Sequence, residues 1–459
     1  MNKLYQIHTR DLLFKISPTA RLVDIPDSFW QNLYQKGINM VYLLGVWTIC
    51  SASTNLSQKI YEPTKTQKIV GSCFAIDDYI IDTNIGTDKD ILALKTMLNS
   101  LGIQLILDFI PNHFGLSTSL LDTNLEVFLQ NSNPNLDQQF YFKHTVNNNS
   151  KQFLYGKDPN FGSWCDTVQI DYSNPKTHVF MTQKFEYLAS LCDGVRCDMA
   201  MLIESEIFQK TWSELLKKSI PTYQSFWQTT TVKIKKLYPN FVFIAEVYWN
   251  MEEQMLKNGF DFVYNKEFLD SLVHQNFDQL QDNLQKFGKP VYFLENHDEQ
   301  RSTATIDSDI LSLCVVLLCF LGGIQFFYDQ QWQGQTTHNP IQILDSQISV
   351  INKSTETLYF ELLVYTQNSI FKFGQLSFET SQSHDLVTII WEYKNLKTYV
   401  FINFGTEYKQ IIKKITHQYI EQKTYQNNQI STISKSILTQ SQNLLIEIPS
   451  KNWIIVECF

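Results

Sequence analysis

Four stretches of this sequence place acidic side chains at the end of an apolar run, three of them beside a histidine or an arginine. They are Asp108 with Asn112 and His113, Arg196 with Asp198, Glu246, and His297 with Asp298. Acids at the ends of buried strands can reach one shared cavity. Several carboxyl groups in a partly desolvated cavity acquire separated pKa values, because they cannot all ionise alike. The pattern therefore indicates acid–base or nucleophilic chemistry.

The stretch Cys192–Ala200 suggests the nucleophile. Arg196 and Asp198 are two residues apart, so on a strand their side chains point the same way. An arginine beside a carboxylate favours the anion, and an oriented anionic carboxylate is equipped for nucleophilic attack. A purely structural ion pair at a strand end is the alternative.

Glu246 suggests the matching acid. It follows the apolar residues Phe243 and Ile244, and no cation is adjacent in sequence. A protonated acid and an anionic carboxylate about 5–5.5 Å apart are what retaining glycoside hydrolysis requires. We therefore assign Asp198 as nucleophile and Glu246 as acid/base, and leave Asp298 to hold substrate hydroxyls.

The elements that must position these residues alternate between buried strands and helices. Eight strands are predicted, at 4–8, 38–46, 103–108, 193–198, 241–246, 260–264, 290–295 and 324–327. Eight β/α units predict a (β/α)8 TIM barrel, with a doubly wound sheet as the runner-up. The barrel is favoured because its active sites collect residues from the C-terminal ends of several strands.

Two regions break the alternation. Residues 114–175 are polar and predict a small subdomain inserted after the third strand, between barrel segments 1–113 and 176–369. Residues 370–459 show short alternating runs, which predict a C-terminal antiparallel β-sandwich. Within it, the polar stretch 417–436 is expected to be a long exposed loop.

Composition narrows the class of protein. The chain has 459 residues, 44% hydrophobic and 18% charged, and a net charge of −9, which argues against a nucleic-acid partner. The N-terminus lacks a continuous apolar segment, and the scattered cysteines show no metal-ligand spacing, so a cytoplasmic protein with reduced thiols is expected. The apolar run Ile310–Phe327 is interrupted by Gly322 and Gly323, which favours a buried helix, a break and a strand over a membrane span.

Four motifs resemble the signatures of the alpha-amylase family of glycoside hydrolases. They are DFIPNH at 108–113, GVRCD at 194–198, AEVYW at 245–249 and ENHDE at 295–299. The resemblance extends over about residues 1–370. It implies the same roles for Asp198 and Glu246, a transition-state stabiliser at Asp298, and a small carbohydrate substrate. It also implies that the reacting sugar is held by Arg196, His113, His297 and Asp108.

The sequence departs from the family at two places. Many amylases carry a basic residue and a histidine shortly after the nucleophile, where Met201 and Leu202 stand here. This puts long starch-like substrates in doubt. The family's calcium site uses the asparagine that matches Asn112, with carboxylates of the inserted subdomain. Asp166 could contribute, but no ligand set can be assigned, so no metal and no other cofactor is predicted.

Aromatic side chains could stack on sugar rings. Trp249 follows Glu246 closely and is the first candidate, Phe74 and Tyr79 are next, and Trp47 comes after them.

Three functions remain open. The first is a retaining enzyme on α-glucosidic bonds of small oligosaccharides or glucosides, with either water or another sugar as acceptor, since hydrolysis and transfer share the catalytic residues. The second is an inactive carbohydrate-binding protein, against which the intact acid trio counts. The third is a metal-dependent barrel hydrolase using His8, His113 and His297, against which the missing HxH pair on the first strand counts. The sequence does not indicate the oligomeric state.

Overall fold

Eight parallel strands close into a barrel, as predicted. The structure is a computed structural model, which describes residues 1–459 except 147, 287, 348–349, 380, 382, 416–418, 427–428 and 438–441. The first to eighth barrel strands are Asn2–His8, Met40–Leu44, Gln104–Phe109, Gly194–Cys197, Val242–Ala245, Phe262–Tyr264, Pro290–Phe293 and Ile324–Tyr328. The prediction of a (β/α)8 barrel, rather than a doubly wound sheet, is confirmed.

The barrel strands are buried on both faces, which is why they read as nearly continuous apolar runs. Every residue of Met40–Leu44 and of Gly194–Cys197 is buried. The strand register positions the charged side chains. Arg196 pairs in register with Asp108 on one neighbouring strand and with Ile244 on the other.

Helices surround the barrel and begin at recognisable caps. Thr87 and Asp90 form a capping box at the start of Asp88–Ser100, and Asn174 caps Pro175–Leu191, which has proline in its first turn. The α-helices are Thr9–Ile16, Asp27–Gln35, Ser51–Ile60, Asp88–Ser100, Leu120–Thr123, Pro175–Leu191, Ser205–Leu216, Phe226–Leu237, Glu252–Lys257, Lys266–Val273, Phe277–Lys286, Ser302–Thr305, Ser308–Phe320, Lys353–Tyr365 and Ser369–Phe373. Short 3-10 helices lie at Leu22–Asp24, Leu125–Val127, Gln138–Phe140 and Ala200–Ile203.

The apolar run after residue 310 is a buried helix, a glycine break and a buried strand. Helix Ser308–Phe320 ends before Gly323, whose φ is +70°. A Cβ at Gly323 would lie 2.2 Å from the carbonyl oxygen of Pro290, so only glycine fits this approach to the seventh strand. Within the described part of the chain, none of the helices has the length and apolar character needed to cross a membrane.

The segment after the third barrel strand forms its own small sheets. Strands Tyr141–Val146 and Asn149–Leu154 make a hairpin, and His113–Gly115 pairs with Thr167–Gln169. Two further strand pairs lie beside the barrel, Trp47–Ile49 with Ile76–Ile81 and Gln67–Ile69 with Ile343–Asp345.

The C-terminal region is an antiparallel sandwich, as predicted. A six-stranded sheet contains, in spatial order, Gln375–Glu379, Leu386–Tyr393, Leu396–Asn403, Asn452–Cys458, Tyr419–Gln426 and Gln429–Ile437. A second sheet pairs Lys409–Ile415 with Gln442–Ile448. The sandwich packs on the barrel, where Trp391 Nε1 donates a hydrogen bond to the carbonyl oxygen of Phe320 at 2.9 Å.

The expectation of an exposed loop at 417–436 is wrong for the residues that the structure describes there. They form the hairpin Tyr419–Gln426 with Gln429–Ile437 at one edge of the sheet. Its polar composition hid the alternation, because few apolar side chains, such as that of Ile420, are needed where only one face meets the core.

Candidate active site

Arg196 lies at the centre of the predicted cavity at the C-terminal ends of the barrel strands, here called the cup, and contacts acids from three strand ends. Its side chain is only 1% exposed. Nη1 lies 2.9 Å from Oδ1 of Asp198 and 3.7 Å from Oδ1 of Asp108. Nη2 lies 2.8 Å from Oε2 of Glu246, at an angle that makes this contact an ion pair rather than a hydrogen bond. One guanidinium therefore contacts the carboxyl groups of three separate strand ends.

Asp108 is held below the cup by groups of the second strand and its following loop. Its Oδ1 accepts a hydrogen bond from the Tyr42 hydroxyl, and its Oδ2 accepts one from the Gly45 amide at 3.4 Å. Burial raises the pKa of Asp108 to about 6, although Arg196 and Tyr42 favour the anion.

Asp198 follows the fourth strand and contacts Arg196, as predicted. Burial raises the pKa of Asp198, and the neighbouring Asp108 adds to that effect. The charge and the hydrogen bond of Arg196 lower the pKa, in the predicted direction, but the sum of these opposing effects is a raised pKa.

Glu246 is buried among hydrogen-bond donors from its own loop and from the fourth strand. Its Oε2 accepts from the Met199 amide at 2.8 Å, and its Oε1 accepts from the Tyr248 hydroxyl at 3.0 Å. Burial raises the pKa of Glu246 to about 7, against the charge of Arg196. No cation is adjacent to Glu246 in sequence, but the Arg196 guanidinium reaches it from the neighbouring strand.

Asp298 faces the open cup, and its side chain is 51% exposed. Its Oδ2 lies 3.0 Å from Nε2 of His297, whose Nδ1 accepts a hydrogen bond from the Gln6 amide at 2.8 Å. Desolvation opposes ionisation of Asp298, but His297, Arg196 and His338 outweigh it and lower its pKa to about 2. Asp298 is therefore an anion beside two carboxyl groups with raised pKa values.

The predicted aromatic residues separate into two groups. The Phe74 ring lies 5.4 Å from the Arg196 guanidinium and 5.3 Å from the His297 ring, so it borders the cup. Trp249 is 38% exposed and lies in the loop that follows Glu246. Tyr79 and Trp47, in contrast, are core residues and do not offer a ring to a sugar. The Tyr79 hydroxyl bonds the backbone of Ile110, and Trp47 Nε1 donates to the backbone oxygen of Asp108.

His113 packs against Trp164 of the inserted segment, with ring centroids 5.2 Å apart. Burial lowers the pKa of His113 to about 4, so the ring is neutral at neutral pH.

His8 argues against the metal-dependent alternative. Its Nδ1 accepts from the Asp11 amide at 3.2 Å, and its Nε2 donates to the carbonyl oxygen of Ile341 at 3.0 Å. Both ring nitrogens are therefore engaged within the protein. Among the described residues, no group of three His, Cys, Asp or Glu side chains is arranged to hold a metal ion.

The residues at the family's calcium position do not fit a cation. Nε2 of the buried Gln169 lies 3.0 Å from Asn112 Oδ1, from the Asn112 carbonyl oxygen and from the Ile170 carbonyl oxygen. An amide donor thus occupies the point where these oxygens converge. The carboxylate of Asp166 accepts a hydrogen bond from the Ser53 hydroxyl at 2.6 Å instead.

Several site residues were not predicted from sequence. The residues that contact the acids themselves are Tyr42 and Tyr248. The residues that contact Arg196 or His297, which in turn contact the acids, are Tyr264, Gln6 and His338. Tyr248 lies inside the AEVYW motif and could have been noted there. The others follow from barrel closure, which sequence spacing does not reveal.

A closed (β/α)8 barrel with carboxyl groups at the C-terminal ends of its strands is the arrangement of a barrel enzyme. The family model of the alpha-amylase catalytic domain matches residues 60–439, so this chain belongs to the alpha-amylase family. It is accordingly a glycoside hydrolase or transferase-type enzyme for α-glucosidic bonds.

Solved structures of this family share the fold at low sequence identity. A maltogenic alpha-amylase from Thermotoga neapolitana superposes with a TM-score of 0.72 and 18% identity, covering 100% of this chain and 98% of that one. An alpha-amylase from Lactobacillus plantarum gives 0.71 and 18%, covering 100% and 99%. An isomaltulose synthase from Erwinia rhapontici gives 0.67 and 12%, covering 99% and 98%. A comparison with curated proteins finds no match.

Proposed function

We propose that this protein is a retaining glycoside hydrolase that acts on α-glucosidic bonds of small oligosaccharides or glucosides. The observation that carries the proposal is the single Arg196 guanidinium that contacts both Asp198 and Glu246. The two terminal nitrogens of one guanidinium lie close together, and each contacts one of the two carboxyl groups. This supports the closely spaced carboxyl pair, about 5–5.5 Å apart, that a double displacement needs.

In the first step, Asp198 attacks the anomeric carbon and Glu246 gives its proton to the departing oxygen. Both contacts to Oε2 of Glu246 come from positive or N–H groups, so its proton belongs on Oε1, beside the Tyr248 hydroxyl. In the second step, water attacks the glycosyl–Asp198 ester while Glu246 takes up the water proton. Asp298, whose pKa is lowered to about 2, binds substrate hydroxyls and stabilises the positive charge that develops on the sugar.

The substrate is small in this proposal. Met201 and Leu202, which replace the polar residues of many amylases, are buried in the 3-10 helix Ala200–Ile203 and offer no hydrogen bond to a second sugar. We therefore expect glucosides and short maltooligosaccharides to be preferred over starch.

Asp198→Asn should abolish turnover of α-glucosyl fluoride and maltotriose, because the amide cannot form the glycosyl ester. The two side chains are nearly isosteric, so thermal unfolding should change little. Asp193→Asn is the matched control, since Asp193 lies at the opposite end of the same strand, where it accepts from the Leu105 amide. If Asp198→Asn turns over at the rate of Asp193→Asn, Asp198 is not the nucleophile.

The same assay distinguishes hydrolysis from transfer. Maltose and glycerol are added as acceptors, and the products are separated. Free glucose as the main product supports the hydrolase, whereas new α-glucosides in its place would make the enzyme a transglycosidase with the same catalytic residues. If wild-type protein consumes no substrate in this panel, the proposed activity on small α-glucosides is wrong.

A further inference from the structure

The position of Asp298 is set by the backbone turn that carries it. Its own side chain is half exposed, whereas Asn296 and His297 beside it are each 1% exposed. The Asn296 Oδ1 accepts hydrogen bonds from the amides of Asp298 at 2.9 Å and Glu299 at 3.0 Å. The groups that hold this turn in place therefore also hold the Asp298 carboxylate in position.

Glu295 stabilises this turn through hydrogen bonds to its buried carboxylate. It is 1% exposed, and its Oε2 accepts from the Ser302 amide at 2.7 Å and the Ser302 hydroxyl at 2.6 Å. Its Oε1 accepts from Nη1 of Arg301 at 2.7 Å. One buried carboxylate thus links the start of the segment 295–302 to its end.

Arg301 connects this turn to the loop after the eighth strand. Its Nη1 also donates to the carbonyl oxygen of Asp329 at 2.8 Å, and its Nε donates to that of Thr337 at 3.2 Å. The guanidinium lies over the Tyr328 ring, 4.3 Å from its centroid. A planar guanidinium can serve these directions together, which a lysine ammonium on a flexible stem cannot.

His338, on the same loop, completes the connection. Its Nε2 donates to the carbonyl oxygen of His297 at 2.9 Å. The residue immediately before Asp298 is therefore held both by its own turn and by the loop after the eighth strand.

We propose that Glu295, Arg301 and His338, here called the strand-seven clasp, are positioning residues that hold His297 and Asp298 against the reacting sugar. This inference rests on the proposed function, in which Asp298 stabilises the transition state. A shift of about 1 Å in such a group can cost about 100-fold in rate. The clasp keeps the exposed Asp298 in place although little packs against its side chain.

Arg301→Lys tests the clasp, with kcat and KM measured on α-glucosyl fluoride. The lysine ammonium can keep the ion pair with Glu295 but loses the hydrogen bond to the carbonyl oxygen of Asp329 or of Thr337. We expect kcat to fall about 10- to 100-fold with KM little changed, because Asp298 acts mainly in the transition state.

His338→Ala and His338→Gln form a rescue pair. The alanine variant loses the donor to His297 and should lower kcat about three- to tenfold. The glutamine variant places an amide N–H where Nε2 lies and should recover most of the wild-type kcat.

Lys3→Met is the matched control for lost stability. Lys3 is a buried cation that donates to the carbonyl oxygen of Leu363 at 2.9 Å and to the Thr366 hydroxyl at 2.8 Å, at the N-terminal end of the barrel away from the cup. It should lower the unfolding temperature without lowering kcat. If Lys3→Met lowers kcat as much as Arg301→Lys does, or if His338→Gln is as slow as His338→Ala, the clasp has no positioning role.

Hydrogen exchange tests the clasp without any substrate. In Arg301→Lys, amides of 294–300 and of the loop after the eighth strand should exchange faster together, while those of the second strand keep their protection. Unchanged exchange in 294–300 would overturn the clasp. If the wild-type protein is inert on every substrate but Arg301→Lys shows this coupled exchange, the proposed function is overturned and the clasp is supported.

Discussion

At the scale of single residues, burial outweighs charge pairing at Asp108, Asp198 and Glu246, whereas neighbouring charges outweigh burial at Asp298. Arg196 contacts three carboxyl groups, yet the pKa of Asp108 is raised to about 6 and that of Glu246 to about 7. The pKa of Asp298, in the open cup beside His297, is lowered to about 2. One cation cannot offset the desolvation of three buried carboxyl groups, so their titrations separate.

The raised pKa of Glu246 predicts an alkaline limit of activity. An acid catalyst must be protonated, so kcat/KM for maltose should fall as pH rises through about 7, where Glu246 loses its proton. Fluoride departs with little protonation, so kcat/KM for α-glucosyl fluoride should not fall as pH rises through about 7. The measurement is a pair of pH profiles on the same enzyme.

Glu246→Gln is the variant that checks this assignment. It should retain much of its kcat/KM on α-glucosyl fluoride and lose activity on maltose. An equal loss on both substrates, or identical alkaline limbs in the wild type, would contradict the acid role of Glu246.

The sequence predicts the contact between Arg196 and Asp198 but not the contact between Arg196 and Glu246. Asp198, Glu246 and Asp298 follow from acids at strand ends. The contact between Arg196 and Glu246 depends on the register of two strands that are distant in sequence, which spacing does not reveal. The aromatic ring of Tyr79 predicts stacking on a sugar, but the Tyr79 hydroxyl donates a hydrogen bond to the Ile110 carbonyl oxygen inside the core.

At the scale of elements, the barrel strands were predictable because both of their faces are buried. Strand Gly194–Cys197 is one example, since every residue of it is buried. The edge hairpin Tyr419–Gln426 with Gln429–Ile437 was not predictable from its apolar pattern, because most of its described side chains are polar and only a few, such as Ile420 and Thr424, are buried.

Gln169 gives a prediction about metal dependence at this scale. Because its amide nitrogen lies 3.0 Å from each of three oxygens that surround the family's calcium position, the unfolding temperature of the wild type should be the same with a chelator and with added calcium. Gln169→Ala should destabilise folding by about 1–3 kcal/mol, because Asn112 Oδ1 and the Ile170 carbonyl oxygen lose their donor.

Thermal unfolding followed by circular dichroism, with and without chelator, makes this measurement. Gln281→Ala is a suitable control, since Gln281 also donates to backbone oxygens, those of His384 and Leu386, but in the contact between barrel and sandwich. A chelator that lowers the unfolding temperature of the wild type would contradict the assignment of Gln169.

At the scale of the whole molecule, one face of the sandwich packs into the apolar core of the barrel, whereas residues such as Phe401 and Ile446 form a separate core within the sandwich. Buried residues of the seventh and eighth barrel strands and of the sandwich strands, such as Phe326, Val387 and Trp453, belong to the same cluster. The fold is that of alpha-amylases at 12–18% identity to the solved structures compared above. The features on which the proposals for this chain rest lie in the cup and in its connections, namely the buried Met201 and Leu202, the Gln169 amide and the strand-seven clasp.

We propose that Asp198 and Glu246 carry out a double displacement at one anomeric carbon. Proton NMR of wild-type protein with α-glucosyl fluoride, recorded from the first minutes, is the test to make first. We expect α-glucose to appear first and β-glucose to follow only by mutarotation, because two inversions restore the starting configuration. The first appearance of β-glucose would show a single displacement and would contradict the assignment of Asp198 as nucleophile.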